Sequence, residues 1–205
     1  MSGRERILRR VRAALERRAV TEHPGDFEGW RPGPTAGPAV DGFEALFLAA
    51  GGEVVRQPDV AGARSWLTDF VTDFGSATVG SGVPDRLRPR LDVAPPHEAE
   101  LGVSMARGAI AETGSLILDA RDGRRPQLLA PTHVVFVYEG DVHTTLWEAL
   151  RSLRADLPSA IGLHSGPSKS ADIGQIMVKG VHGPGRLVAV VIEKPRPAER
   201  EQPVA

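Results

Sequence analysis

Between residues 43 and about 193, short apolar runs alternate with segments of helical period. FEALFLAAGG (43–52) predicts a helix stopped by Gly51 and Gly52, and EVVR (53–56) a strand after it. ARSWLTDFVTDFG (63–75) sets Trp66, Leu67, Phe70 and Phe74 at helical spacing, ahead of strand SATVG (76–80). AELGVSMA (99–106), AIAETGSLIL (109–118) and HVVFVYEG (133–140) are strand candidates, and VHTTLWEALRSLRAD (142–156) predicts a helix. SAIGLHS (159–165) and RLVAVVIE (186–193) complete the series as strands. Strands separated by helices of roughly ten to fifteen residues predict an α/β fold, a sheet with helices on both faces. Ligands of such folds bind in the crevice beyond the carboxyl ends of the strands.

The ends of the chain follow other patterns. In SGRERILRRVRAALERR (2–18), Ile7, Leu8, Val11 and Leu15 fall on one helical face and arginines cover the rest, with Ser2 placed as a cap. Such a helix packs on the body or serves as a docking arm for a partner or a membrane surface. TEHPGDFEGWRPGPTAGPAVDG (21–42) is too rich in Pro and Gly for helix or sheet and reads as an extended connector, with Phe27 and Trp30 as its anchors. The closing EKPRPAEREQPVA is proline-rich and charged, and is expected to be poorly ordered. The expected organisation is therefore an N-terminal helix and connector over 1–42, an α/β domain over 43–195 and a flexible tail over 196–205.

Composition narrows the class. With 205 residues the chain is long enough for one sizeable core, and its net charge of -1 does not point to nucleic acid or an anionic membrane. It has no cysteine, which excludes disulfides, thiolate metal sites, cysteine nucleophiles and any cluster held by its own thiolates. No apolar run approaches the ~20 residues of a membrane span, and the arginine-rich start has no apolar signal core. A cytoplasmic protein without a transmembrane segment is expected.

Two stretches carry candidate chemistry. SGPSKSADIGQIMVKGVHGPG (165–185) lies between two strand candidates. Gly166 and Pro167 turn the chain out of the strand, Ser168 or Ser170 is placed to cap a short helix starting near Ala171, and Asp172 falls in its first turn. Free N–H groups at that helix start, with the hydroxyls and Lys169, would form a pocket for a small carboxylate or phosphate. Lys179, His182 and Gly183 follow before the final strand. The bland alternative is a connection whose polar residues only cap and turn. In AIAETGSLIL, Glu112, Thr113 and Gly114 interrupt an otherwise apolar run. Gly114 suggests a bulge or a close approach, and Glu112 is a candidate acid, base or nucleophile. His182 is a weaker catalytic candidate. His164 and His182 bracket the glycine-rich stretch, and a metal held by them with Glu112 or Asp172 is the minority reading, a hydrogen-bonded turn histidine the majority one. His133 reads as structural. No GxGxxG follows a predicted strand, so no dinucleotide site is marked.

AIAETGSLIL and GPSKSADIGQIMVKGVHGPGRLVAVVI together resemble the lactate utilization protein C family, whose members consist of a LUD domain. SGRERILRRVRAAL, GGEVVR and LGVSMARG fit the same family, so the resemblance runs over essentially the whole chain. Lys169-Ser170 stands where relatives often carry Arg-Thr, which keeps the charge and the hydroxyl but not the bidentate fork. The resemblance implies a fold related to the sugar-phosphate isomerase and CoA-transferase-like superfamily (NagB/RpiA-like). It also implies a part in oxidising L-lactate to pyruvate beside two iron–sulfur partner proteins. With no cysteine here, the clusters are expected on those partner chains and no cofactor on this one. Its own share is then anion binding, an acid/base step or assembly. The alternative is a stand-alone enzyme of that superfamily with Glu112 as nucleophile or base, because Glu112-Thr113-Gly114 looks similar to the strand-end glutamate of CoA transferases.

Overall fold

The computed structural model describes residues 2–16, 37–171 and 177–193, and divides into two units, residues 1–31 and 32–205. The first unit carries α1 (Gly3–Glu16). Its start is closed reciprocally: the Glu5 amide donates to the Ser2 hydroxyl at 3.2 Å, and the Ser2 amide donates to the Glu5 carboxylate at 2.6 Å. This is a capping box, so the Ser2 cap is present. Phe27, Trp30 and the C-terminal tail lie outside the described residues, as does most of the connector.

In chain order the second unit runs α2 (Ala39–Ala49), β1 (Glu53–Gln57), α3 (Val60–Phe70), β2 (Ser76–Val79), β3 (Asp92–Val93), β4 (Leu101–Met105), β5 (Gly108–Ile110) and β6 (Ser115–Asp119). Then follow α4 (Arg124–Leu129), β7 (Thr132–Tyr138), β8 (Val142–His143), α5 (Leu146–Leu153), β9 (Ile161–His164), β10 (Lys169–Ala171), β11 (Met177–Lys179) and β12 (Arg186–Ile192). The central sheet is parallel throughout, in the order β1-β12-β7-β4-β2-β3. Its middle strands read as unbroken apolar runs because both of their faces are covered. Val134, Phe136, Val188, Val190 and Ile192 pack with Ala63 and Leu67 of α3. The alternate residues Val135, Val137, Leu187, Ala189 and Val191 face Phe43 and Phe47 of α2 and Leu116 and Leu118 of β6. The expected α/β sheet with helices on both faces is thus present. One face also carries a second sheet, β8-β5-β6-β9, against which α5 packs Ala149 and Leu153 on Ile110 and Ile117. Among the described residues no helix is long and apolar enough to cross a membrane.

Two local expectations are corrected. AIAETGSLIL is not one broken strand but an antiparallel hairpin: Ile110 of β5 lies opposite Ser115 of β6, and Gly114 closes the turn at φ +58°. The helix expected to start near Ala171 does not include Ala171, and residues 172–176 lie outside the described residues. Lys169–Ala171 is β10, paired antiparallel with β11. The reason lies at Ser168, whose polar groups close the loop instead of capping a helix. Its amide donates to the Pro184 carbonyl at 2.8 Å and its carbonyl accepts from the Gly180 amide at 3.0 Å. Its hydroxyl accepts from the His182 amide at 3.3 Å. Ser170, the other candidate cap, lies opposite Val178 in the hairpin.

Candidate functional site

Strand order singles out one crevice. From β2 the chain moves outward to β3, whereas from β4 it moves the other way to β7 and then β12. The carboxyl ends of the adjacent strands β2 and β4 therefore form a topological switch point, the usual ligand site of an open α/β sheet. A cavity of about 210 Å³ lies there, lined by Ser81 and Gly82 after β2, by Met105, Ala106 and Arg107 after β4, and by Asp119, Arg121 and Asp122. Its volume falls below the ~300–1,000 Å³ of drug-sized sites and suits a small organic acid.

Asp122 is the unusual group in this crevice. Only 7% of its surface is exposed. One carboxylate oxygen accepts from the Gly82 amide at 2.7 Å, and the other, also buried, has no well-formed hydrogen bond among the described residues, with Ser104 and the Met105 amide standing nearby. Burial pushes its carboxyl above the ordinary aspartate range. The Gly82 amide, Ser104 and the Met105 amide draw it back in part, and nearby Asp119 adds to the rise. Gly80 makes the arrangement feasible, since a Cβ there would lie 2.1 Å from the Asp122 carboxyl. Asp119, at the end of β6, accepts from the Arg121 amide at 2.8 Å and so holds the turn that carries Asp122. Ser81 ties the same turn down by donating to the Arg121 carbonyl at 2.8 Å.

Two guanidinium groups complete the crevice. Arg121 grips Asp156 in a fork, at 2.5 and 2.7 Å. Arg107 donates to the same Asp156 at 3.3 Å and stands 3.8 Å from Asp119. Arg107 keeps most of its five donors without a partner among the described residues. An arginine fork next to a buried carboxyl group can hold the carboxylate of a small acid while exchanging a proton or hydrogen bond with a neighbouring hydroxyl.

The residues singled out by sequence gather elsewhere, along one stripe of α2. Gly42, Leu46 and Ala50, four residues apart, each receive a loop. A Cβ on Gly42 would lie 3.4 Å from that of Ala111, one on Gly114 2.6 Å from that of Leu46, and one on Gly166 3.1 Å from that of Ala50. The Ser115 hydroxyl joins the two motifs, 2.7 Å from Thr113 Oγ1 and 2.6 Å from Ser165 Oγ. Glu112 accepts from the Leu146 amide at 2.5 Å, which places a carboxylate at the amino end of α5, beside the Thr145–Glu148 capping box. Its second oxygen is buried without a partner among the described residues. Lys169 donates to the Ala50 carbonyl, a cation at the carboxyl end of α2. Lys179 lies opposite Lys169 across the hairpin, and Gly183 packs beside Ser168, where an added Cβ would lie 3.2 Å from the serine Cβ. These contacts make Glu112, Ser168 and Lys169 braces between elements. Asp172 lies outside the described residues. Among the described residues no three histidine, aspartate or glutamate side chains gather where they could hold a metal ion.

The crevice residues were missed by sequence reasoning, although a signal existed. Gly80-Ser81-Gly82 directly follows strand SATV, and Asp122-Gly123 closely follows strand SLILD. Glycines at strand ends mark places where the backbone comes close to another group.

Comparison with known proteins adds relatives. Residues 97–192 match the LUD domain model. Lactate utilization protein C of Deinococcus radiodurans is 37% identical over 56% of this chain and 56% of its own length. The Geobacillus kaustophilus protein of the same name is 29% identical over 69% of this chain and 63% of its own. Lactate utilization protein C 1 of Bacillus mycoides is 31% identical over 46% of this chain and 44% of its own. The chain thus spans about half the length of the curated relatives it matches. The crystal structure of a DUF162 family protein from Deinococcus radiodurans shares the fold, with a TM-score of 0.60 at 22% identity over 75% of this chain and 96% of that one. The matched domain contains Arg107, Asp119, Arg121 and Asp122, while Gly80, Ser81 and Gly82 precede it.

Proposed function

We propose that this chain, whose residues 97–192 match the LUD domain model and whose relatives are named lactate utilization protein C, acts in lactate utilization by holding a small 2-hydroxy or 2-keto acid at the switch-point crevice. One observation carries the reading: a buried carboxyl group with an unpartnered oxygen, Asp122, shares a small crevice with Arg107 and Arg121. Arg107 binds the substrate carboxylate, and Asp122 faces its 2-position, where lactate and pyruvate differ by a hydroxyl and a carbonyl. The raised pKa suits Asp122 to holding or passing a proton there. The chain has no cysteine, so iron–sulfur partner proteins take up the electrons, and this chain contributes acid binding and assembly.

The test is calorimetric titration of the full chain with lactate and with pyruvate. A charge-assisted hydrogen bond is worth about 1.5–3 kcal/mol, so Arg107→Gln should weaken binding roughly ten- to more than a hundredfold. Lys169→Ala, at the brace, should bind as the parent does. If Lys169→Ala loses binding and Arg107→Gln keeps it, the ligand sits at the glycine-rich loop rather than in the crevice.

A further inference from the structure

A second cleft, of about 330 Å³, opens between α3 and the segment 85–90. One wall is Arg64, Leu67 and Thr68 of α3 with Val71 directly after its end, the spacing of one helical face. Its other wall is Asp85, Arg86, Arg88, Pro89 and Arg90. Buried Leu67 and Leu87 pack in the same core cluster and fix the two walls to each other. Pro89 favours extended backbone at Arg88, which has φ -81° and ψ 131°, and so keeps the basic run from coiling away from α3.

Four guanidinium groups share this cleft with a single carboxylate, Asp85. Arg88 is committed: it donates to the Val83 carbonyl at 3.1 Å and lies 3.2 Å from the Asp85 carboxylate. Arg64, Arg86 and Arg90 have no side-chain hydrogen bond or ion pair among the described residues. Like charges crowded into one cleft repel each other, and a multivalent anion would relieve that repulsion while filling several forks at once. The floor, Leu67 and Val71, is apolar and no aromatic ring lines the cleft, so nothing there would stack a nucleobase.

We infer that this cleft is an anion site distinct from the switch-point crevice, and that it takes a small multivalent anion, a phosphate ester or a polycarboxylate. It shares no lining residue with the crevice. The test titrates the full chain with inorganic pyrophosphate and with citrate at physiological salt, where a contact between widely separated exposed charges is largely screened. Lactate, with one charge, is the comparator. Binding of pyrophosphate or citrate that falls at least about tenfold in the double variant Arg64→Gln/Arg90→Gln, and persists in Arg107→Gln, supports the site. Tighter binding of pyrophosphate identifies a phosphate ligand, and tighter binding of citrate a polycarboxylate. Absence of binding by both probes at millimolar concentration overturns the inference. So does an unchanged affinity in the double variant, or lactate competing equally for the same arginines. Failure here leaves the lactate titration of the crevice untouched, because different arginines are read.

Discussion

Replacing Gly114 with alanine is expected to remove about 3 kcal/mol or more of folding stability. Two costs add. The residue sits at φ +58°, where a Cβ costs roughly 1–2 kcal/mol. That Cβ would also lie 2.6 Å from the Leu46 Cβ and 2.8 Å from the Phe47 amide nitrogen, inside contact distance of the α2 backbone. Helix α2 cannot step back, because Phe43 and Phe47 are fully buried in the core beneath it. Overpacking of this kind typically costs 1–3 kcal/mol. Gly37 supplies the control. Its φ is also positive, at +93°, but an added Cβ would meet nothing within 4 Å. Urea unfolding should show Gly37→Ala losing only about 1 kcal/mol. Equal losses in the two variants would mean that α2 does not press on the turn.

The same packing explains what the two sequence motifs do. Glycines 114 and 166 let two loops settle on one stripe of α2, and the Ser115–Ser165 hydroxyl contact joins them. Glu112 and Lys169 then meet helix ends of the sign each charge favours. Bracing thus gives Glu112, Ser168 and Lys169 a structural role. Glu112 and Asp122 each bury a carboxylate oxygen without a hydrogen-bond partner among the described residues, but only Asp122 does so in a crevice that also holds Arg107 and Arg121. A buried polar group left this way costs stability, and such costs are retained where function needs them.

The strands were legible wherever both faces are buried. HVVFVY and RLVAVVI are continuous apolar runs because α3 covers one side of the sheet and α2 with the second sheet covers the other. Helix α3 was legible from its period, but its start at Val60, ahead of the expected Ala63, is set by Asp59, whose side chain accepts from the amides of Ala61 and Gly62. What misled was local chemistry decided at a distance. Ser168 has the propensity of an N-cap, but Pro184, Gly180 and His182, all more than ten residues on, claim its polar groups. The hairpin inside AIAETGSLIL has no Asn-Gly or Asp-Gly signal, and its turn is set by Gly114 against α2. The crevice was illegible for a related reason. Asp122, Gly82 and Arg107 come from three separate segments and meet only through the order of the strands.

Acid should destabilise this protein well before its carboxylates are protonated, and His133 is the main cause. The ring is fully buried in β7. Its Nε2 lies 2.9 Å from the Ser104 hydroxyl, and its Nδ1 has no partner among the described residues. Burial, with nearby His164 adding to it, pushes its pKa down from 6.5 to about 3. The folded state therefore binds this proton less readily than the unfolded state, whose histidine titrates near 6.5. Between those values the unfolded chain holds more protons, so stability is full above about pH 6.5 and falls as pH drops, by about 1.4 kcal/mol per unit. By pH 4.5 the loss should approach 3 kcal/mol. His164, also pushed down by burial, works in the same direction. Asp122, pushed up, opposes them, since the folded state takes its proton first as pH falls. Glu53 and Asp156, held low by Arg186 and Arg121, add their losses only below about pH 4.5, near the ordinary carboxylate range. The measurement is urea unfolding from pH 7.5 to 4.5 for the parent and for His133→Gln, whose amide can still reach Ser104 and does not titrate. The variant should start less stable and show a clearly shallower slope between pH 6.5 and 4.5. Equal slopes would mean that the buried imidazole accepts its proton without cost and that the acid sensitivity arises elsewhere.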